Sequence, residues 1–66
     1  MMLLQIYGLL GHAGRFDMPL DDLEVEELEP GEEFLFNGRV YEIRSVYHLE
    51  ETVTINVSLV VQHATA

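Results

Sequence analysis

Cysteine and lysine are absent from these 66 residues, and three basic side chains stand against twelve acids. Without cysteine there is no disulfide, and the thiolate zinc sites that brace many short domains are excluded. With only Arg15, Arg39 and Arg44 to offer, the chain has few groups to neutralise phosphate. Affinity for DNA or RNA comes largely from such neutralisation, so direct nucleic-acid binding is not expected. Attraction to anionic membrane surfaces is disfavoured for the same reason. A long apolar run is missing too. MMLLQIYGLL is the most apolar stretch, and it falls well short of the ~20 residues that a membrane-crossing helix needs. It also lacks the basic residues that open a secretory signal. A buried strand in a cytoplasmic protein is the expected reading.

What is present narrows the class. The apolar fraction is 48% and the formal charge is -9. Disorder requires low hydrophobicity as well as high charge, so a folded chain is expected. Residues 1–66 suffice for one domain, and one this short buries only about 60% of its unfolded surface. With no disulfide, oligomerisation or docking on a larger partner is the expected support. An apolar surplus beside a charged surface marks a contact region. A basic protein partner suits this charge best.

The clearest local signal is Asn37-Gly38 between Phe34-Leu35-Phe36 and Arg39-Val40-Tyr41. Asn-Gly supplies the two positive-φ residues of a type I′ hairpin. The turn pairs Phe34 with Tyr41, Leu35 with Val40 and Phe36 with Arg39. Alternation then places Phe34, Phe36, Tyr41 and Ile43 on one side, and an unbroken pattern adds Tyr47 and Leu49. Glu42, Arg44 and His48, with Val40 and Val46, share the other side.

TVTINVSLVVQ alternates cleanly, with Val53, Ile55, Val57, Leu59 and Val61 facing one way. A two-residue Glu50-Glu51 turn would set its apolar row opposite that of the preceding strand. A three-residue loop from Glu50 to Thr52, or a bulge near Ser45, brings the rows together. In the first half, Leu4, Ile6 and Leu10 are expected on one face of a strand, with Leu3, Tyr7 and Leu9 on the other. GHAGR reads as a glycine-rich loop. Residues 19–29 fit a short helix, with Pro19 in its first turn and Leu20, Leu23 and Leu28 near helical spacing. Leu23-Glu24-Val25 equally fits a short strand, and Pro30-Gly31 ends either. The expected architecture is all-β: a small SH3-like barrel of four or five antiparallel strands, with an OB-like barrel as the alternative.

LEPGEEFLFNGRVYEI adds a resemblance. Leu28, Pro30, Gly31, Phe34, Gly38, Tyr41 and Ile43 fall in the order found in small SH3-like barrel proteins of bacteriophages. The resemblance covers residues 28–43 and rests on turn and core positions. It implies the fold and a phage source, hence a host-cell cytoplasm or a virion as the setting. It carries over no functional residues.

No constellation for catalysis emerges, and no cofactor is implied. Ser45 and His48, three residues apart on a strand, point to opposite faces, and Ser58 has no evident base. His12, His48 and His63 are scattered without ligand spacing, and Asp17, Asp21 and Asp22 do not make a calcium loop. Phe34, Phe36, Tyr41 and Tyr47 fit core packing better than base stacking, which also needs a positive groove. The remaining feature is DDLEVEELEPGEE, where Asp21, Asp22, Glu24, Glu26, Glu27, Glu29, Glu32 and Glu33 occur with no basic residue. Such a run serves as a solvated face, as a docking surface for a basic protein, or as a mimic of nucleic-acid phosphates. The leading expectation is a non-catalytic virion or assembly component that docks on itself or a larger assembly. The alternative is a nucleic-acid-mimicking inhibitor of a DNA- or RNA-binding enzyme or defence complex.

Overall fold

The Asn37-Gly38 turn forms as its chemistry dictates, with φ of 52° and 76° at its two central residues. It joins strands β3 (Glu33–Phe36) and β4 (Arg39–His48) in the computed structural model, which describes residues 2–60. Phe34 pairs with Tyr41, Leu35 with Val40 and Phe36 with Arg39, the register set by a two-residue hairpin. Three more strands complete the sheet: β1 (Leu3–Tyr7), β2 (Arg15–Pro19) and β5 (Thr52–Leu59). Their order is β2-β1-β5-β4-β3. The architecture is all-β, a five-stranded sheet curled into a half-barrel. One of its four pairings departs from the antiparallel expectation, because β1 runs parallel to β5.

The curl wraps one face of the sheet around the core. Leu4, Ile6, Tyr41, Ile43, Val53 and Ile55 are fully buried there, joined by Leu9, Leu23, Phe34 and Val57. Each fully buried apolar side chain of this size contributes about 1.5–3 kcal/mol. Tyr41 stacks on Phe34 with ring centroids 5.9 Å apart. Its hydroxyl accepts a hydrogen bond from the Leu10 N–H at 3.2 Å, so the one polar atom of this ring has a partner. The sheet's two edges, β2 and β3, meet through side chains. Phe16 of β2 lies edge-on to Phe36 of β3 at 5.3 Å, and His12 tilts over Phe16 at 4.9 Å.

The phase between β4 and β5 is set by a bulge. The Glu50-Glu51 turn is the short one, with the Leu49 N–H bonded to the Thr52 carbonyl at 2.8 Å. The three-residue loop is therefore not used. Instead the register slips between Ile43 and Ser45, so that Ile43 faces Val57 and Val46 faces Ile55. One extra residue inverts every side chain that follows it. Val46 turns inward, whereas Tyr47 and Leu49, expected beside Ile43, turn outward and are 57% and 61% exposed.

A second correction comes at Gly8, whose φ of +103° breaks the alternation after β1. Leu9 drops into the core, and Leu10, expected inside, is 55% exposed. The third concerns residues 19–29. Neither a strand nor a full helix forms; a single 3₁₀ turn, Leu20–Asp22, gives way to irregular chain. Val61 and His63 lie outside the described residues.

Candidate functional site

The acidic run becomes a strap between the two edge strands. It leaves the end of β2, where the Leu20 N–H donates to the Met2 carbonyl at 3.0 Å. It arrives beside β4, where the Gly31 N–H donates to the Ile43 carbonyl and the Ile43 N–H donates to the Glu32 carbonyl, both at 2.8 Å. A tight turn at Pro30-Gly31 aims the chain into β3, with the Glu32 N–H bonded to the Glu29 carbonyl at 3.1 Å. Gly31 has φ +97°, which the third residue of a type II turn demands and which proline at the second position favours.

Within the strap, apolar and acidic residues separate by direction. Leu23 is buried, and Leu20, Val25 and Leu28 pack against the core. Asp21, Asp22, Glu24, Glu26, Glu27, Glu29 and Glu33 are exposed, and Glu32 is half-buried. None of the eight has an ion-pair partner among the described residues; the two bridges present join Arg15 to Asp17 at 2.8 Å and Arg44 to Glu42 at 3.8 Å. Mutual repulsion shows at Glu29. Its carboxyl is held above the ordinary value of 4.5, first by the Glu27 charge, then by local desolvation, a hydrogen bond with Glu27, and the Glu32 charge.

The fold also extends the acidic surface beyond the run. Glu33 sits directly across from Glu42 on β4, a like-charge juxtaposition that disfavours the pairing. The Glu50-Glu51 turn comes to the same end of the sheet as Asp21 and Asp22, because Thr52, Leu3 and Pro19 occupy neighbouring positions on β5, β1 and β2. Alongside the strap lies a shallow open groove of about 360 Å³, lined by Leu20, Asp21, Leu23, Val25, Glu26 and Leu28. Sequence reasoning missed this groove, although its signal was present in apolar residues interleaved with acids at 23, 25 and 28.

The chain matches no protein-family model, curated protein or solved structure. The site is therefore read from its own chemistry. Ser45 lies on the outer face and accepts a hydrogen bond from Asn56 Nδ2 at 2.9 Å, two positions from Thr54, which donates to Gln5 Oε1 at 3.0 Å. These pairs link β4, β5 and β1 across the outer surface. Among the described residues, no three His, Asp or Glu side chains are grouped to hold a metal ion. No helix there is long and apolar enough to cross a membrane.

The outer face also carries exposed apolar side chains. Tyr47 and Leu49 project from the end of β4, and Leu35 is 64% exposed on β3. Tyr7 projects from β1 on the same face, since it pairs with Asn56 and Arg15. No other segment among the described residues packs over this face: the strap and the 3₁₀ turn send their apolar side chains into the core.

Proposed function

We propose that this protein is a non-catalytic docking module, a small component of a virus particle or of its assembly, that binds copies of itself or a larger protein assembly. The observation that carries the reading is the outer face of the sheet, where Tyr47, Leu49 and Leu35 are each more than half exposed. Grouped apolar side chains rimmed by polar ones mark protein-contact surfaces; Tyr47 and Leu49 stand two residues apart on this face, and tyrosine is among the residues enriched in such contacts. The phage setting rests on the resemblance of residues 28–43 to small SH3-like barrel proteins.

Sedimentation or light scattering across a protein dilution series tests the reading. A salt-tolerant oligomer is expected, because apolar contacts are insensitive to screening. Tyr47→Glu with Leu49→Glu should convert it to monomer while leaving the circular dichroism spectrum unchanged. A wild-type chain that stays monomeric at every concentration, and binds no larger assembly through this face, would refute it.

A second reading draws support from the strap. Eight carboxylates without an ion-pair partner among the described residues, continued by Glu42 across from Glu33, suit an inhibitor that occupies a phosphate-binding surface. Such an inhibitor would compete with DNA or RNA for its target and weaken as salt rises. Reversing the charges of Glu24, Glu26, Glu27 and Glu29 should abolish that competition. Unchanged competition by the reversed variant would remove mimicry through the strap.

A further inference from the structure

We infer that the groove beside the 3₁₀ turn receives an apolar side chain of a partner polypeptide, with arginine or lysine residues flanking that side chain placed against Asp21 and Glu26. The inference goes beyond the docking reading above: it concerns a separate surface, and it names the chemistry of the partner that surface takes.

The groove is built before any partner arrives. Its backbone is held by internal bonds, from the Leu23 N–H to the Leu20 carbonyl at 3.2 Å and from the Val25 N–H to the Leu23 carbonyl at 3.1 Å. It is tied to the barrel through Leu20 and Met2, and Leu23 anchors it from below as a core residue. Its volume of about 360 Å³ lies at the small end of ligand sites. That space suits one large aliphatic or aromatic anchor better than an extended cofactor.

Charge selects what surrounds the anchor. Asp21 and Glu26 belong to the lining, and Glu24, Glu27 and Glu29 continue along the same strap. None of these has an ion-pair partner among the described residues, and two of the chain's three arginines are bonded to other acids. Repulsion excludes an acidic peptide and a nucleic acid. A simple polycation would satisfy the carboxylates but leave uncovered the parts of the half-buried Leu20, Val25 and Leu28 that line the groove. Only a segment that is apolar at its centre and basic at its flanks meets both halves of the lining. Such a contact recruits by charge and orients by its anchor.

Heteronuclear NMR titration tests this with a short capped peptide in which one leucine lies between arginine pairs. Binding should be weak, with a Kd on the order of 1 mM, and shift changes should concentrate at residues 20–28. Replacing the peptide's leucine with serine should weaken binding several-fold. Asp21→Asn with Glu26→Gln should weaken it about tenfold, as expected for losing two surface charge contacts. Both changes are at exposed positions, and a circular dichroism spectrum verifies the fold. A serine peptide that binds as well as the leucine peptide would overturn the inference, as would shifts centred on Tyr47 and Leu49. If the peptide fails while the wild-type chain still self-associates through its outer face, the groove inference falls and the docking reading stands. If the peptide binds a chain that never self-associates or joins an assembly through Tyr47 and Leu49, the groove stands and the outer-face reading falls.

Discussion

Replacing Gly8 with alanine should be among the most damaging small substitutions in this protein. A Cβ at this position would lie 2.2 Å from the Val57 carbonyl oxygen, and the residue has φ +103°. The positive φ alone costs an L-residue about 1–3 kcal/mol. The clash is with backbone rather than with a side-chain tip, so β1 and β5 must separate locally and lose about one ladder hydrogen bond, a further ~1 kcal/mol. Strain from displacing packed neighbours adds about 1–3 kcal/mol. The narrower unfolded ensemble of alanine returns about 0.4–1 kcal/mol. The net loss is about 2–7 kcal/mol, against a total of roughly 3–10 kcal/mol for a chain this size. Gly11 provides the matched control. Its φ is +87°, yet nothing lies within 4 Å of an added Cβ, so Gly11→Ala should lose only the conformational part, about 1–2 kcal/mol. Urea unfolding followed by circular dichroism reads both. At a slope of about 1 kcal/mol per molar urea, the Gly11 variant should shift its midpoint by about 1–2 M. The Gly8 variant should shift by about 2 M at the least and by more than the Gly11 variant, or be unfolded without denaturant. Equal losses in the two variants would show that no close approach to Val57 exists, and the placement of Leu9 in the core would fall with it.

Other perturbations bear on the barrel and the strap. Tyr41→Phe removes the acceptor of the Leu10 N–H and should cost about 1 kcal/mol in the same urea assay; no change would mean that water satisfies that amide equally well. Glu27→Gln removes the largest cause of the raised Glu29 pKa. An acid whose folded pKa is raised binds its proton more tightly in the folded state, so its contribution to stability is present at low pH and lost as pH rises above about 4.5. The variant should therefore be more stable than the parent at neutral pH, with the difference shrinking on acidification, as followed by thermal unfolding across that range. Glu33→Gln relieves the juxtaposition with Glu42 and should raise the melting temperature slightly, most visibly at low salt. A fall instead would show that Glu33 makes a favourable contact in the folded chain.

Which parts of this structure were legible in the sequence follows from how local their causes are. The Asn37-Gly38 hairpin and the pairing of Phe34 with Tyr41 depend on four adjacent residues and a fixed turn geometry, and they form as expected. The alternation of Val53, Ile55 and Val57 likewise survives as a buried row. Tyr47 and Leu49 were misplaced because a bulge is decided by the partner strand: burying Val46 against Ile55 outweighs continuing the β4 pattern. Leu9 and Leu10 exchange roles because Gly8 must pass close over Val57, a neighbour 49 residues away. β2 went unrecognised because Arg15–Pro19 is short and half polar, and only Phe16 and Met18 signal its inward face. The acidic strap was visible as composition, but its groove exists only once Leu23 is drawn into the core.

The pairing of β1 with β5 has a consequence for how the chain is made. Gln5 and Thr54, bonded side by side, lie 49 residues apart, and β5 is the middle strand of the sheet. During synthesis β1 leaves the ribosome long before its neighbour exists, and closing so large a loop is entropically slow. Until Thr52–Leu59 emerges, Leu4 and Ile6 have only β2 to lean on, with one edge of an apolar strand open. That interval is when the nascent chain is most exposed to aggregation or chaperone capture. A chain stopped before β5 loses the strand that joins the two halves of the barrel, and neither hairpin alone has a core.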